Sequence, residues 1–244
     1  RRLFRALSNR IKLMTSSKFA PQIFDELNNP DTGSFHDERI AFSKAGSQLF
    51  LSMGVVSPVM VAKNLNSLLQ SKSVNWLREE LDSDARRNLV WALENICRNE
   101  AAFEDAAKCL ARLAIAENED IANNATGQFV QLFHIYLSGT KANFKQRISL
   151  MQELRTDESY LPLILQAIDN AFNTGPFHKS NTCGIESKDD DYTPNGQDID
   201  FYWRDCSIIL KATLEEKKDL LPKIKKLFEH HIGELARIGA KDVL

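Results

Sequence analysis

Cysteine and histidine are the side chains of this sequence that most directly suggest chemistry, since thiolates and imidazoles bind zinc and act as nucleophiles or bases. Four Cys and five His occur, but the C-x-x-C, H-E-x-x-H and H-x₃-H spacings of known zinc sites do not. Cys97 and Cys109 lie on stripes otherwise made of Leu and Ala, which is typical of core cysteines. The sequence therefore predicts no metal site and no cofactor.

Nucleophilic catalysis is the second chemistry these residue types allow. Cys183 with His134 or His178 offers a Cys–His pair. A lone loop cysteine is far more often simply exposed, however. The adjacent His230 and His231 place at most one ring inward and the other in solvent, which is poor geometry for a shared task. We therefore predict that this segment is not an enzyme.

Runs of charge supply the remaining candidate sites. The acidic run Asp189-Asp190-Asp191 lacks the alternate spacing and the glycine of a calcium loop. Solvation or an electrostatic contact with a partner explains it better. At the other end of the chain, the first eighteen residues contain basic side chains and no acid, and local charge of this kind binds phosphates. The candidate nucleic-acid-binding residues are Arg1, Arg2, Arg5, Arg10 and Lys12.

Composition narrows the class of protein. The chain has 244 residues, 43% hydrophobic and 26% charged, with a net charge of -2 and a pI near 6.3, which argues against a dedicated nucleic-acid binder. No apolar run approaches the ~18 residues that a membrane span needs. Four cysteines are too few for a disulfide framework at this size, so we expect a reducing, cytoplasmic setting. Because the sequence opens on Arg1, we expect it to be a piece of a longer chain.

The elements that must position these residues are helices. Apolar residues recur at steps of three and four, and no convincing strand pattern occurs. Ser57-Pro58 is typical of an N-cap followed by proline at the first helical position. The predicted helices cover about 3–14, 21–27, 36–53, 58–69, 83–97, 102–114, 122–137, 144–154, 160–172, 199–210 and 222–238.

The pattern stops between Gly175 and about Asp198. This stretch is rich in Gly, Pro and acidic residues, which predicts a long acidic loop inserted at 175–198. Loops too long to be mere connections are often functional. The candidate partner-binding residues are His178, Lys179, Lys188, Asp189, Asp190, Asp191 and Tyr192.

The middle of the chain resembles a known kind of sequence. The runs Asn88–Cys97 and Phe103–Ala114, continued by Asn123–Thr140, are similar to the pattern "ALE.LA, F..AA.LLARLA., LF..YL.GT" of helical regions that accompany STAND-type nucleotide switches in bacterial multidomain proteins. The resemblance covers about 86–155. It implies a HEAT-like superhelical segment of a large bacterial protein acting in antiviral defence, and it implies no catalytic residues. No GxxxxGK[ST] loop occurs in the sequence.

These observations predict an all-α fold in which antiparallel helix pairs stack as a HEAT-like α-solenoid over a single domain, 1–244. The predicted function is a non-catalytic scaffold or sensor that binds a protein partner, or relays recognition to an effector domain of the parent protein. The alternative is a nucleic-acid-binding helical repeat that uses the basic N-terminal helix. No membrane partner is expected.

Overall fold

The structure is a computed structural model, which describes residues 10–11, 14, 17–118, 123–174 and 191–237. Throughout these residues the secondary structure is helical, with no strand, so the all-α prediction is confirmed. They fall into two compact units, which we call unit 1, up to Phe129, and unit 2, from Val130. In the same part of the chain, no helix combines the length and the apolar character needed to cross a membrane. The single repeat domain over 1–244 stays a prediction.

Within the described residues, seven helices of unit 1 have defined bounds, and an eighth begins in unit 1 and ends in unit 2. Short 3-10 turns precede two of them, at Ser34–His36 and Glu100–Ala102. The helices are α1 (Ala20–Leu27), α2 (Glu38–Ala41), α3 (Lys44–Val56), α4 (Pro58–Gln70), α5 (Val74–Glu79), α6 (Ser83–Ile96), α7 (Phe103–Ile115) and α8 (Ala125–Gln131).

Local signals in the sequence set where these helices begin. The Ser43 and Asp82 side chains accept hydrogen bonds from the first-turn amides of α3 and α6, which stabilises each N-terminus. Pro58 opens α4, as predicted from the Ser57-Pro58 pair. The helices of unit 1 then pack mainly as α3 on α6 and α4 on α7. Gly54 allows α3 to lie close to α6, since a Cβ at this position would lie 2.7 Å from Ile96 Cγ1.

Unit 2 repeats the helix, 3-10 turn and helix arrangement. Its 3-10 turns are Glu158–Tyr160 and Lys218–Leu220. Helix α9 packs on α11, and α10 contacts both. The helices after α8 are α9 (Phe144–Leu154), α10 (Leu161–Phe172), α11 (Gly196–Glu216), α12 (Leu221–His230) and α13 (Ile232–Arg237).

The core of unit 2 is built around the two large aromatic rings of α11. Tyr202 and Trp203 are almost fully buried. The Trp203 Nε1 donates to the Ala171 carbonyl at 2.8 Å, and the Tyr202 hydroxyl donates to the Phe133 carbonyl at 3.1 Å. Because a buried N–H or O–H without a partner is costly, these bonds fix the rotation of α11 about its axis. That rotation decides which side chains of α11 face outward.

Three predicted helices are interrupted or end earlier than predicted. The predicted helix 36–53 is interrupted at Phe42 and Ser43, because Ser43 caps a new helix instead of continuing the old one. The predicted helix 222–238 is interrupted at His231, and residues beyond Arg237 lie outside the described ones. The predicted first helix, 3–14, also lies almost entirely outside the described residues.

The third error concerns the helix predicted over 122–137, which ends at Gln131. Leu137 has a φ of 54°, in the left-handed region that a right-handed helix excludes. Tyr136 and Leu137, assigned to the apolar stripe by periodicity, are about half exposed.

Candidate functional site

The segment between α8 and α9 is held by a buried arginine. Arg147 donates from Nη1 to the His134 carbonyl (2.7 Å), from Nε to the Ala142 carbonyl (3.0 Å) and from Nη2 to Ser138 Oγ (2.9 Å). Burial lowers the pKa of Arg147, but these acceptors compensate for part of the lost hydration. The guanidinium therefore replaces helical hydrogen bonding at His134 and fixes the shape of the segment.

The end of the predicted acidic loop binds the same segment from the other direction. The Gly139 amide donates to Asp191 Oδ2 at 3.1 Å, and the Tyr192 amide donates to the Thr140 carbonyl at 3.0 Å. Gly139 has a φ of 81°, a conformation that suits glycine. Residues 191–192 are thereby fixed next to the start of α9.

These contacts complete a cleft of about 640 Å³ on unit 2. We call it the Asp205 cleft. It is formed by the N-terminal ends of α9 and α11 and by Tyr192, and its walls are aromatic rings and charged groups. The lining residues are Asn143, Phe144, Lys145, Tyr192, Asp198, Phe201, Tyr202 and Asp205.

Two capping boxes position the rim of this cleft. Asn143 and Gln146 exchange hydrogen bonds between side chain and backbone at the start of α9, and Asn195 and Asp198 do the same at the start of α11. The Tyr192 hydroxyl also donates to Asp198 Oδ2, at 3.3 Å. Both helix starts are consequently fixed, and Asp198 is held in place by two donors.

The aromatic rings form one packed group. The Phe144 and Tyr202 rings stack with centroids 3.9 Å apart, and Tyr192 meets Phe144 edge-on at 5.2 Å. The Arg147 guanidinium carbon lies 5.2 Å from the Phe144 centroid and 5.9 Å from that of Tyr192. Burial raises the pKa of Tyr202 well above its usual range, so this hydroxyl stays protonated. Phe201, by contrast, is 53% exposed and offers its ring to a ligand.

Asp205 is the side chain of the cleft most available for an ionic contact. It is half-buried, and no hydrogen bond or ion pair reaches its carboxylate among the contacts of the described residues. Desolvation raises its pKa above the ordinary value of 3.8. A cation placed in the cleft would stabilise this carboxylate, because it would supply an opposite charge that no contact among the described residues provides.

The predicted partner-binding residues are only partly covered by the structure. Tyr192 lines the cleft and Asp191 supports it. The remaining five, His178, Lys179, Lys188, Asp189 and Asp190, lie outside the described residues. The sequence interpretation missed Asp198, Phe201 and Asp205. Their spacing of three and four along α11 was the available signal, since it places a large ring between two acids on one helix face.

The candidate nucleic-acid residues are covered less well. Arg10 is exposed, whereas Arg1, Arg2, Arg5 and Lys12 lie outside the described residues. The structure therefore leaves the basic N-terminal helix as a prediction.

The cysteines proposed for the core can be placed more definitely. Cys97, Cys109 and Cys206 are free and fully buried, which confirms the core assignment of Cys97 and Cys109. Burial raises the pKa of each thiol, so none of the three is an activated nucleophile. Cys183 lies outside the described residues, and His134 is buried with a pKa lowered by desolvation.

A second polar group lies elsewhere on unit 2. His231 Nε2 is 2.7 Å from Asp169 Oδ1, and His230 Nδ1 is 4.0 Å from the same oxygen. His231 is buried and His230 is exposed, as the sequence predicted for adjacent histidines. The sequence interpretation missed Asp169, because it lies some sixty residues earlier and no local spacing connects it to the pair.

Comparison with known proteins identifies no relative of this chain. No family model matches the sequence, and neither a curated protein nor a solved structure matches it. The resemblance of 86–155 to helical regions of STAND-associated proteins consequently stays a prediction.

Proposed function

We propose that this chain is a non-catalytic α-solenoid segment that binds a basic segment of a protein partner in the Asp205 cleft. The observation that carries the proposal is the half-buried Asp205 carboxylate, which no described group pairs, beside the exposed ring of Phe201.

The lining of the cleft favours a cation as occupant. The lining contains two carboxylates, those of Asp198 and Asp205, and one ammonium group, that of Lys145. Aromatic rings attract cations through their electron-rich faces, and Phe201 presents such a ring at the cleft. A lysine or arginine side chain provides both the positive charge and an apolar stem that packs along the ring. The Asp205 carboxylate and the Phe201 ring together therefore favour a lysine or arginine side chain.

The size of the cleft fits part of a chain better than a whole folded domain. Its volume of about 640 Å³ falls within the ~300–1,000 Å³ usual for ligand sites. One or two side chains of an extended or loop segment fill such a space, while the remainder of the partner contacts the surrounding surface. We therefore assign the cleft to a short basic motif of a protein.

Helix packing within each unit supports the solenoid part of the proposal. In unit 1, α3 and α4 are consecutive, α6 and α7 are consecutive, and the first members contact each other, as do the second members. Stacked helical pairs have this pattern of neighbours. In both units, helices that start directly after a 3-10 turn occur, at Phe103, Leu161 and Leu221. The pairs that share this start are α6 with α7, α9 with α10, and α11 with α12. We propose that the members of each pair run antiparallel.

A role in a larger protein rests on the sequence resemblance alone. We propose that binding at the cleft is relayed to an effector domain of a bacterial multidomain parent, as the similarity of 86–155 to STAND-associated regions implies. The absence of a reactive thiol among the described cysteines is compatible with a recognition role. The open reading frame that contains this chain tests this proposal, because it shows whether an effector domain is encoded beside the chain.

Binding of short peptides tests the cleft. Fluorescence anisotropy of a labelled arginine hexapeptide is expected to show binding to the full chain, whereas a glutamate hexapeptide of the same length is not bound. Asp205→Asn and Phe201→Ala should each weaken the arginine peptide about fivefold, which corresponds to the ~1 kcal/mol of a favourable, partly exposed charge contact.

Matched variants on the same helix separate the cleft from general surface effects. Glu215→Gln removes an exposed charge and Ile208→Ala an exposed apolar side chain, and neither residue lines the cleft. Both should leave peptide affinity unchanged. The raised pKa of Asp205 means that its ionised form costs folding free energy at neutral pH, so Asp205→Asn should unfold no earlier than the parent. Equal binding of the two hexapeptides, or unchanged affinity in both cleft variants, would refute the proposal.

A further inference from the structure

Unit 2 contains a group of potential metal ligands that lies apart from the residues lining the Asp205 cleft. Among the described residues, Asp169, His230 and His231 bring one ligand atom each to within 4.8 Å of the others. Asp169 belongs to α10, His230 ends α12, and His231 lies between α12 and α13. We propose that these three side chains form a zinc-binding site.

The buried histidine is held with its nitrogen toward the carboxylate. His231 is 5% exposed, its ring packs against Phe172 with centroids 5.5 Å apart, and its Nε2 lies 2.7 Å from Asp169 Oδ1. The His231 ring is thus held by packing, and its Nε2 already lies beside the Asp169 carboxylate. Pre-positioned ligands reduce the ordering cost of binding, as functional sites require.

The third ligand is close but free to adjust. His230 Nδ1 lies 4.0 Å from Asp169 Oδ1, and the two imidazoles stack with centroids 4.6 Å apart at 11°. Ligand atoms on a tetrahedral zinc are about 3.4 Å apart, given Zn–N and Zn–O bonds of ~2.1 Å. On zinc binding, the 2.7 Å between His231 Nε2 and Asp169 Oδ1 must widen. His230 must also rotate its ring out of the parallel stack, so that its Nδ1 lone pair points at the metal. Its side chain is 73% exposed, so little packing opposes that turn.

The donor set selects the kind of metal. Two imidazole nitrogens and one carboxylate oxygen suit zinc and its neighbours, while calcium and magnesium prefer sites made only of oxygen. Three protein ligands leave a fourth position to water or to a group from another molecule. The exposure of His230 and Asp169 leaves this position open to solvent.

Calorimetric titration of the full chain with zinc chloride, in a phosphate-free and non-chelating buffer, tests the site. One equivalent of zinc is expected to bind. His230→Gln and Asp169→Asn should each lower the affinity by more than about tenfold, since loss of even an outer-shell partner costs 10–100-fold. Glu229→Gln, which removes the exposed carboxylate next to His230, should leave the affinity unchanged.

Imidazole NMR shows which nitrogens take part. On addition of one equivalent of zinc, His230 Nδ1 and His231 Nε2 should shift while the ring nitrogens of His36 and His134 do not. This readout also covers the outcome that Cys183 captures zinc, since Cys183→Ser would then abolish binding and the two imidazoles would not respond. Either that result, or unchanged affinity in His230→Gln, would overturn the assignment. Binding of the arginine hexapeptide is measured separately, and its result does not depend on zinc.

Discussion

At the scale of single residues, the structure relies on Arg147 to replace secondary structure. Its three donors reach Ala142, His134 and Ser138, all of which belong to the segment between α8 and α9. Removing the guanidinium leaves buried acceptors without partners, and each such acceptor costs about 1–3 kcal/mol. The stability of unit 2 therefore depends on this one side chain more than on any surface ion pair.

The variant Arg147→Met tests that dependence. It keeps much of the apolar stem and removes the three hydrogen bonds, and we expect unit 2 to lose about 3 kcal/mol of unfolding free energy. Urea denaturation reports the loss, followed by the fluorescence of Trp203 in a background in which Trp76 and Trp91 are replaced by Phe. Arg155→Met is the matched control, because Arg155 forms a surface ion pair with Glu216 at 2.7 Å, and such a pair contributes less than about 1 kcal/mol. Equal losses in the two variants would contradict the role given to Arg147.

Asp205 gives peptide binding a pH dependence of defined sign. Burial raises the pKa of this carboxylate, and a bound cation favours its ionised form. Affinity for the arginine hexapeptide should therefore be low below that pKa and rise as the pH increases through it. Anisotropy titrations from about pH 4 to about pH 7 cover the transition. In Asp205→Asn the dependence should become much shallower, and an unchanged profile there would assign the effect to another group.

At the scale of elements, the segment between α8 and α9 has a backbone feature that a substitution can improve. Leu137 adopts a φ of 54° and is half exposed. A residue with a Cβ is destabilised by about 1–2 kcal/mol in that region. Glycine instead lowers the unfolding free energy by about 0.5–1 kcal/mol, because its unfolded chain is more flexible. Leu137→Gly should thus raise the unfolding free energy by about 0.5 kcal/mol.

Gly139 provides the opposite control in the same segment. Its φ of 81° disfavours any side chain, so Gly139→Ala should destabilise unit 2 by about 1 kcal/mol. Denaturation curves of the two single variants are sufficient. If Leu137→Gly destabilises as much as Gly139→Ala, the exposed leucine makes a contact that outweighs its backbone cost.

Elements with strong local signals were predictable, and those set by distant groups were not. The helices predicted over 58–69, 102–114, 144–154 and 160–172 are confirmed nearly to the residue, because each combines periodicity with a cap, a proline or a turn. The helix predicted over 122–137 ends early, and Arg147 binds the His134 carbonyl beyond its end. Periodicity compares only neighbouring residues, so it could not reveal this contact. Asp205 could not be predicted for a different reason. A partly buried acid on a helix has the same sequence pattern as an acid on a solvent-exposed helix face.

At the scale of the whole chain, charge distribution separates the two classes of partner. The net charge is -2, while the described cleft has two carboxylates against one lysine and the first eighteen residues contain only basic charge. A basic peptide and a nucleic acid would therefore use different parts of the chain. Their responses to salt and to substitution must differ accordingly.

Competition between the two ligands distinguishes these uses. We expect a 20-base-pair DNA duplex to bind the full chain too weakly at physiological salt to displace the arginine hexapeptide. A nucleic-acid role for Arg1, Arg2, Arg5, Arg10 and Lys12 instead requires about five phosphate contacts, which gives a slope of about −4.5 in log affinity against log salt. Neutralising the four arginines to glutamine should leave peptide affinity unchanged, because the described lining of the Asp205 cleft lies within 143–205. Tight duplex binding that has the steep slope and is lost in that variant would favour the nucleic-acid alternative over the cleft.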